Sequence, residues 1–185
     1  MCKQKVAIFL MGMAFVCAGV LSWAETGDDW TIIEGRGLKT IGVGDDTEQA
    51  LLVLGPPDSV HGGPDLVQLV YKKTHKFHFL VRRKEHKIVE ARFDRGYQGR
   101  LTNGIGLDAP LSEVLRLYGG ANKTVTVSME DAHHCSQGTD KVLYHALKDG
   151  KVAAHKFITT RHGVLFWFDA EGRVSQIVAV PKATE

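Results

Sequence analysis

The sequence predicts an α+β fold: two tandem helix-then-antiparallel-meander units, with short helices packed on one face of a shared antiparallel sheet. Two observations carry that expectation. The phrase "IGVGDDTEQALLVLGPP", Ile41 to Pro57, returns 64 residues later without a gap as "IGLDAPLSEVLRLYGGA", Ile105 to Ala121. After each copy comes a set of short runs in which β-branched and aromatic residues alternate with polar ones between turn signals, the pattern of an antiparallel meander.

In the first copy Asp46 is placed to cap a helix, and Gln49 three residues on closes a capping box. Thr47, Ala50, Leu51 and Leu54 then share one helical face. Gly55 supplies the stop and Pro56-Pro57 forbid continuation. In the second copy Leu111, Val114, Leu115 and Tyr118 take the matching places, and Gly119-Gly120 ends the helix. Helices of about two turns are unstable alone, so each must lie on a sheet. The first is followed by "DLVQLVYKK", "KFHFLVRR" and "KIVEARFD". The second is followed by "HKFITTR", "GVLFWFD" and "RVSQIVAV", with Asp169-Ala170-Glu171-Gly172 as a hairpin turn. The later strands align at an offset of 87, Phe79 with Phe166, which leaves about 23 extra residues inside the second unit. That insertion falls within 122–149, and "DKVLYHAL" can add a strand.

The N-terminus reads as a secretory signal peptide over 1–24. Lys3 and Lys5 precede an apolar run from Val6 to Leu21, and Ser22-Trp23-Ala24 forms a small-residue cleavage site. An uncleaved anchor is the alternative. Cleavage leaves 161 residues with a formal charge of 0, and Cys135 as the one cysteine, so no internal disulfide is possible in the mature chain. The expected location is periplasmic or secreted. The domains expected are an N-terminal segment 25–37, a first unit 38–100 and a second unit 101–185. The neutral charge and the lack of a binding motif exclude nucleic acid as a partner.

Thr47-Glu48-Gln49, the exit Leu54-Gly55-Pro56-Pro57 and the following "LVYKK" together resemble the envelope module of the outer-membrane assembly lipoprotein BamE (the SmpA/OmlA family). The tandem arrangement is similar to β-lactamase-inhibitor proteins, in which two such units share one curved sheet. The resemblance spans nearly all of the mature chain in pattern. It departs in lacking a lipobox cysteine, and in Gly120-Ala121 where the first unit has Pro56-Pro57. It implies a non-enzymatic binding protein of the cell envelope.

Three features are candidates for function. If Phe77, Phe79 and Val81 face the helix, strand alternation turns His78 and Leu80 outward, and likewise Leu165 and Trp167 in the second unit. Leu80 and Trp167 are equivalent under the 87-residue offset, so the outer face gathers apolar side chains of the kind found at partner surfaces. The alternative is that "DDWTIIE", with Trp30, Ile32 and Ile33, covers that face. Beside it lie basic clusters: Lys72, Lys73, His75 and Lys76, then Arg82, Arg83, Lys84, His86 and Lys87. These suit an acidic protein face, anionic lipid or lipopolysaccharide phosphates, or serve as ordinary charged turns. The third feature is "MEDAHHC", in which His133, His134 and Cys135 are candidate zinc or copper ligands, with His145 or His155 as a further donor. Cys135 could equally bridge two chains.

The expected function is therefore an exported binding module, not an enzyme and without a cofactor. It would dock an envelope or extracellular protein through Leu80, Leu165, Trp167, His78, Arg82, Arg83 and Lys84. The alternative is a metal-binding or redox-sensing protein that uses the His133-His134-Cys135 loop. No Ser-His-Asp or paired-carboxylate arrangement can be singled out, which ranks a hydrolase last.

Overall fold

A computed structural model describes residues 30–73, 75–135 and 140–183. The expected signal peptide, 1–24, lies outside the described residues. The elements in chain order are β1 (Ile32–Ile33), β2 (Gly37–Leu38), α1 (Thr47–Leu54), β3 (Ser59–Gly62), β4 (Leu66–Tyr71), β5 (Phe77–Arg82) and β6 (Lys87–Asp94). They continue with α2 (Leu111–Tyr118), β7 (Lys123–Ser128), α3 (Met129–His134), β8 (Asp140–Lys148), β9 (Lys151–Thr159), β10 (Val164–Phe168) and β11 (Val174–Ala179).

β3 to β11 form one nine-stranded sheet in the order β3-β4-β5-β6-β11-β10-β9-β8-β7. Seven of its eight strand pairings are antiparallel, but β7 joins β8 in parallel, from Lys123↔Val142 to Ser128↔Leu147. This corrects the expected fold class. The described residues are mainly β, 46% strand against 15% helix, and form one large mixed sheet rather than two helix–meander units. The BamE-like and β-lactamase-inhibitor-like resemblance falls with it. The physical reason lies in how little the repeated helices organise: α1 fully buries only Ala50, and α2 only Val114 and Tyr118. Order comes instead from the strand ladder, which runs unbroken through the β6–β11 seam, Ala91↔Ala179 to Asp94↔Gln176. The expected insertion holds the rest of the difference. "KTVTVS" alternates Val with Thr and Ser, a half-buried edge strand, and the six residues after it form α3.

Where helices were expected, they form. The Asp46 N–H donates to Gln49 Oε1 at 3.3 Å, and α1 ends at Gly55 with φ +76°. Gly119, at φ +79°, closes α2 in the left-handed conformation. Among the described residues, no helix is long and apolar enough to cross a membrane.

Alternation sorts the sheet into two faces. On the near face, Phe77, Phe79, Phe93, Phe157, Phe166, Phe168 and Ile177 are all shut off from solvent within one cluster, to which α1 adds Ala50 and α2 adds Val114 and Tyr118. The N-terminal hairpin joins this same cluster through Ile32 and Leu38. Trp30 packs there too, stacked on His75 at 4.4 Å. Trp30 and Ile32 of "DDWTIIE" therefore do not cover the outer face, and Asp28 and Asp29 lie outside the described residues. The N-terminal segment is held by Tyr118, whose hydroxyl donates to Glu34 Oε1 at 2.5 Å, and by Gly35 N–H donating to the Gly163 carbonyl at 3.1 Å.

Gly163 is required at that clasp. Its φ is +72°, and a Cβ would lie 2.5 Å from Gly35 Cα and 2.8 Å from the Val180 carbonyl oxygen. Gly163→Ala is expected to cost at least about 2 kcal/mol in urea unfolding. An unchanged midpoint would show that the clasp can open without loss.

Candidate functional site

The far face carries the chemistry, and α3 creates its shape. Leaving β7 at the sheet edge, the chain crosses that face as α3 and returns as β8. Ser128 starts the helix, its Oγ accepting from the Asp131 N–H at 3.0 Å. Ala132 is fully buried against Ala146 and Ala154, and these three methyl groups allow the helix to approach the strands closely. Lys156, on β9 and only 3% exposed, closes the other end. Its Nζ donates to the carbonyls of Ala132 at 2.9 Å and Cys135 at 2.6 Å. A cation there also meets the negative end of the helix. The same ammonium lies 4.8 Å from the ring centroid of Trp167. Burial pulls the Lys156 pKa down to about 8, with Arg92 adding to the effect while Cys135 and Glu90 oppose it.

Beside α3 opens a cleft of about 600 Å³ along the middle of the sheet. Its apolar lining comes from Leu66, Leu80, Leu165, Trp167, Val178 and Met129. A polar strip runs along the floor on β6 and β11. Arg92 donates to Glu90 Oε2 through both Nε (2.8 Å) and Nη2 (2.6 Å). Asp94 accepts from Gln176 Nε2 at 2.8 Å and from His78 Nδ1 at 3.2 Å, and Lys72 Nζ lies 3.8 Å away. Burial works against the charge on Asp94, but the His78 and Gln176 hydrogen bonds and the charges of His78 and Lys72 hold its pKa below the usual carboxylate range.

The expected partner residues divide. Leu80, Leu165 and Trp167 line this one cleft. His78 lies on the same face, buried beside Asp94. Arg82 stands at the rim: it is the register partner of Leu66 and pairs with Glu85 at 3.2 Å. Arg83 and Lys84 follow, exposed in the turn. The expected metal set does not converge. His133 lies over Trp167, ring centroids 4.8 Å apart, and lines the cleft. His134 is exposed, and Cys135 packs half-buried against the far-face apolar cluster. Among the described residues, no group of three or more His, Cys, Asp or Glu side chains is placed to hold a metal ion. His145 and His155 sit on the near face, as Leu143 and Phe157 do, so the sheet separates them from α3.

Sequence reasoning passed over Lys156, Glu90, Arg92, Asp94 and Gln176. A signal for three of them was present: "KIVEARFD" places Glu90, Arg92 and Asp94 at every second position, a charged stripe on one face of a central strand.

No family model matches the chain, the SmpA/OmlA family included, and no curated protein matches it. Among solved structures, it is similar to an extracellular protein containing an SCP domain from Bacillus anthracis str. Ames. The two share 14% sequence identity and a TM-score of 0.47, over 75% of this chain and 44% of that one. The chain thus spans less than half the length of that protein, and a likeness of this size transfers no function.

Proposed function

We propose that the protein is an exported, non-enzymatic binding module that grips a partner protein in the far-face cleft. The observation that carries this reading is the gathering of Leu80, Leu165 and Trp167 in one open cleft. Its floor groups are already paired: Glu90 with Arg92, Asp94 with His78 and Gln176, and Lys156 with two carbonyls. Paired groups present a fixed polar surface for recognition and leave little free acid or base for chemistry. The rim residues Arg82, Arg83 and Lys84 add positive charge. The occupant is therefore an exported protein segment with an apolar anchor beside carboxylates. The Lys3/Lys5 start and the apolar run to Leu21 support export.

A photocrosslinking amino acid at Leu80 tests this against one at Leu52, which is 85% exposed on α1 at the opposite face. One partner should be captured from Leu80 and not from Leu52. With that partner purified, Leu80→Asp is expected to weaken binding by about 2 kcal/mol, roughly thirtyfold. Reversing the charge of Arg83 and Lys84 should weaken binding less and flatten its salt dependence. Capture from Leu52 alone, or equal affinity of Leu80→Asp, defeats the proposal. Leu80 is a better probe than Trp167, which also supports Lys156 and His133 and so mixes binding with stability.

A further inference from the structure

We propose that His145 and His155 form a two-imidazole site for a divalent transition metal, selective for copper(II) over zinc. The residues are register partners on the antiparallel hairpin β8–β9. Facing partners on one side of such a pair have Cβ atoms about 5 Å apart, close enough for both rings to reach one atom. Here the rings meet at 80°, with centroids 4.8 Å apart and Nδ1 to Nδ1 at 2.6 Å. Both side chains are half-buried, so an ion can enter from solvent.

The 2.6 Å contact is a hydrogen bond between the rings, and a metal ion would replace it. With metal–nitrogen bonds of roughly 2.0 Å the ion sits to one side of the line between the two nitrogens, which separate slightly as the bridging hydrogen leaves. A tetragonal copper(II) ion would take water in its remaining positions. The preference for copper(II) follows from the affinity order, in which copper(II) exceeds zinc on nitrogen ligands.

Coordination needs an imidazole with a free ring nitrogen, and one of the two facing Nδ1 atoms must already be unprotonated to accept the hydrogen bond between the rings. Asp169 does not compete for the ion, being held by Arg95 at 2.9 Å.

The test is titration of the purified protein with copper(II), supplied as its glycine complex, and separately with zinc, read by calorimetry and electron paramagnetic resonance. One copper(II) ion is expected, with the hyperfine signature of two imidazole nitrogens and tighter binding than zinc. His145→Asn and His155→Asn should each lower copper affinity by at least about tenfold and remove one nitrogen from the spectrum. His133→Asn and His134→Asn should leave both readings unchanged. The proposal is overturned if the wild-type protein shows no two-nitrogen copper species. It is equally overturned if zinc binds more tightly, or if the signal follows His133 or His134. Both asparagine variants are checked for an unchanged thermal melt, and the wild-type spectrum decides the matter if either fails to fold.

Discussion

Expressed alone, residues 25–100 give no cooperative melt. That stretch retains β3 to β6 and α1 but loses β11, the partner of β6 along the Ala91–Asp94 ladder. Its half of the near-face cluster also loses Val114, Tyr118, Phe157, Phe166, Phe168, Val174, Ile177 and Ala179, which belong to the same buried group as Phe77, Phe79 and Phe93. Each missing aromatic forfeits about 3 kcal/mol or more. For the four aromatics that is about 12 kcal/mol, comparable with the whole stability of a typical domain, about 5–15 kcal/mol. The N-terminal segment loses its anchors as well, since Gly35 bonds to Gly163 and Glu34 to Tyr118. The check is a circular-dichroism melt with a one-dimensional proton spectrum. A sigmoidal transition with dispersed amide signals would mean that β6 can end a sheet by itself.

Lys156→Met is expected to destabilise the protein by about 3 kcal/mol at pH 7, more than any other single change on the far face. The methionine fills similar volume but leaves the carbonyls of Ala132 and Cys135 without their donor and removes the cation from Trp167. A pH dependence identifies the cause. The folded pKa of Lys156 is about 8 and the unfolded value 10.5. Between these values the folded protein has released a proton that the unfolded chain still binds, so stability rises with pH across this window. Below pH 8 both states are protonated, and the burial penalty is present in full. Urea unfolding of wild type and Lys156→Met should therefore diverge between pH 8 and pH 10, the wild type gaining. The buried tyrosines Tyr97 and Tyr118, whose pKa values burial raises, act in the opposite direction above pH 10 but are common to both proteins. Parallel curves would refute the assignment. Protease cleavage within 129–135 should accelerate in the variant, because α3 is what Lys156 holds.

Strand positions were legible because alternation reports burial directly. "KFHFLVRR" and "GVLFWFD" place Phe77, Phe79, Phe166 and Phe168 on one face, and all four are fully buried there. The caps at Asp46, Gly55 and Gly119 were legible for a similar reason, being local backbone chemistry. Fold class was not. A phrase repeated at helical spacing says that two helices exist, but not how much of the sheet they organise, and nothing local shows that β6 will seek β11. β7 was missed because Thr and Ser between its valines read as an insertion, and a parallel pairing leaves no turn signal. The site was half legible: Leu80, Leu165 and Trp167 follow from alternation alone. Lys156 does not, since a lysine in a strand ordinarily points to water, and only the arrival of α3 from a distant part of the chain buries it. "MEDAHHC" shows the converse hazard. Its residue types suggest metal, yet the helix that they form sends His133, His134 and Cys135 into three different environments.

The position of β11 bears on how the chain reaches its native state. It is the last of the nine strands to leave the ribosome, yet it belongs in the middle of the sheet, between β6 and β10. Until it emerges, the two flanking groups of strands have no common partner, and the most distant contacts in sequence must form at the end. Such topologies fold slowly. The delay leaves the nascent polypeptide without the strand that joins its two halves until translation is nearly complete.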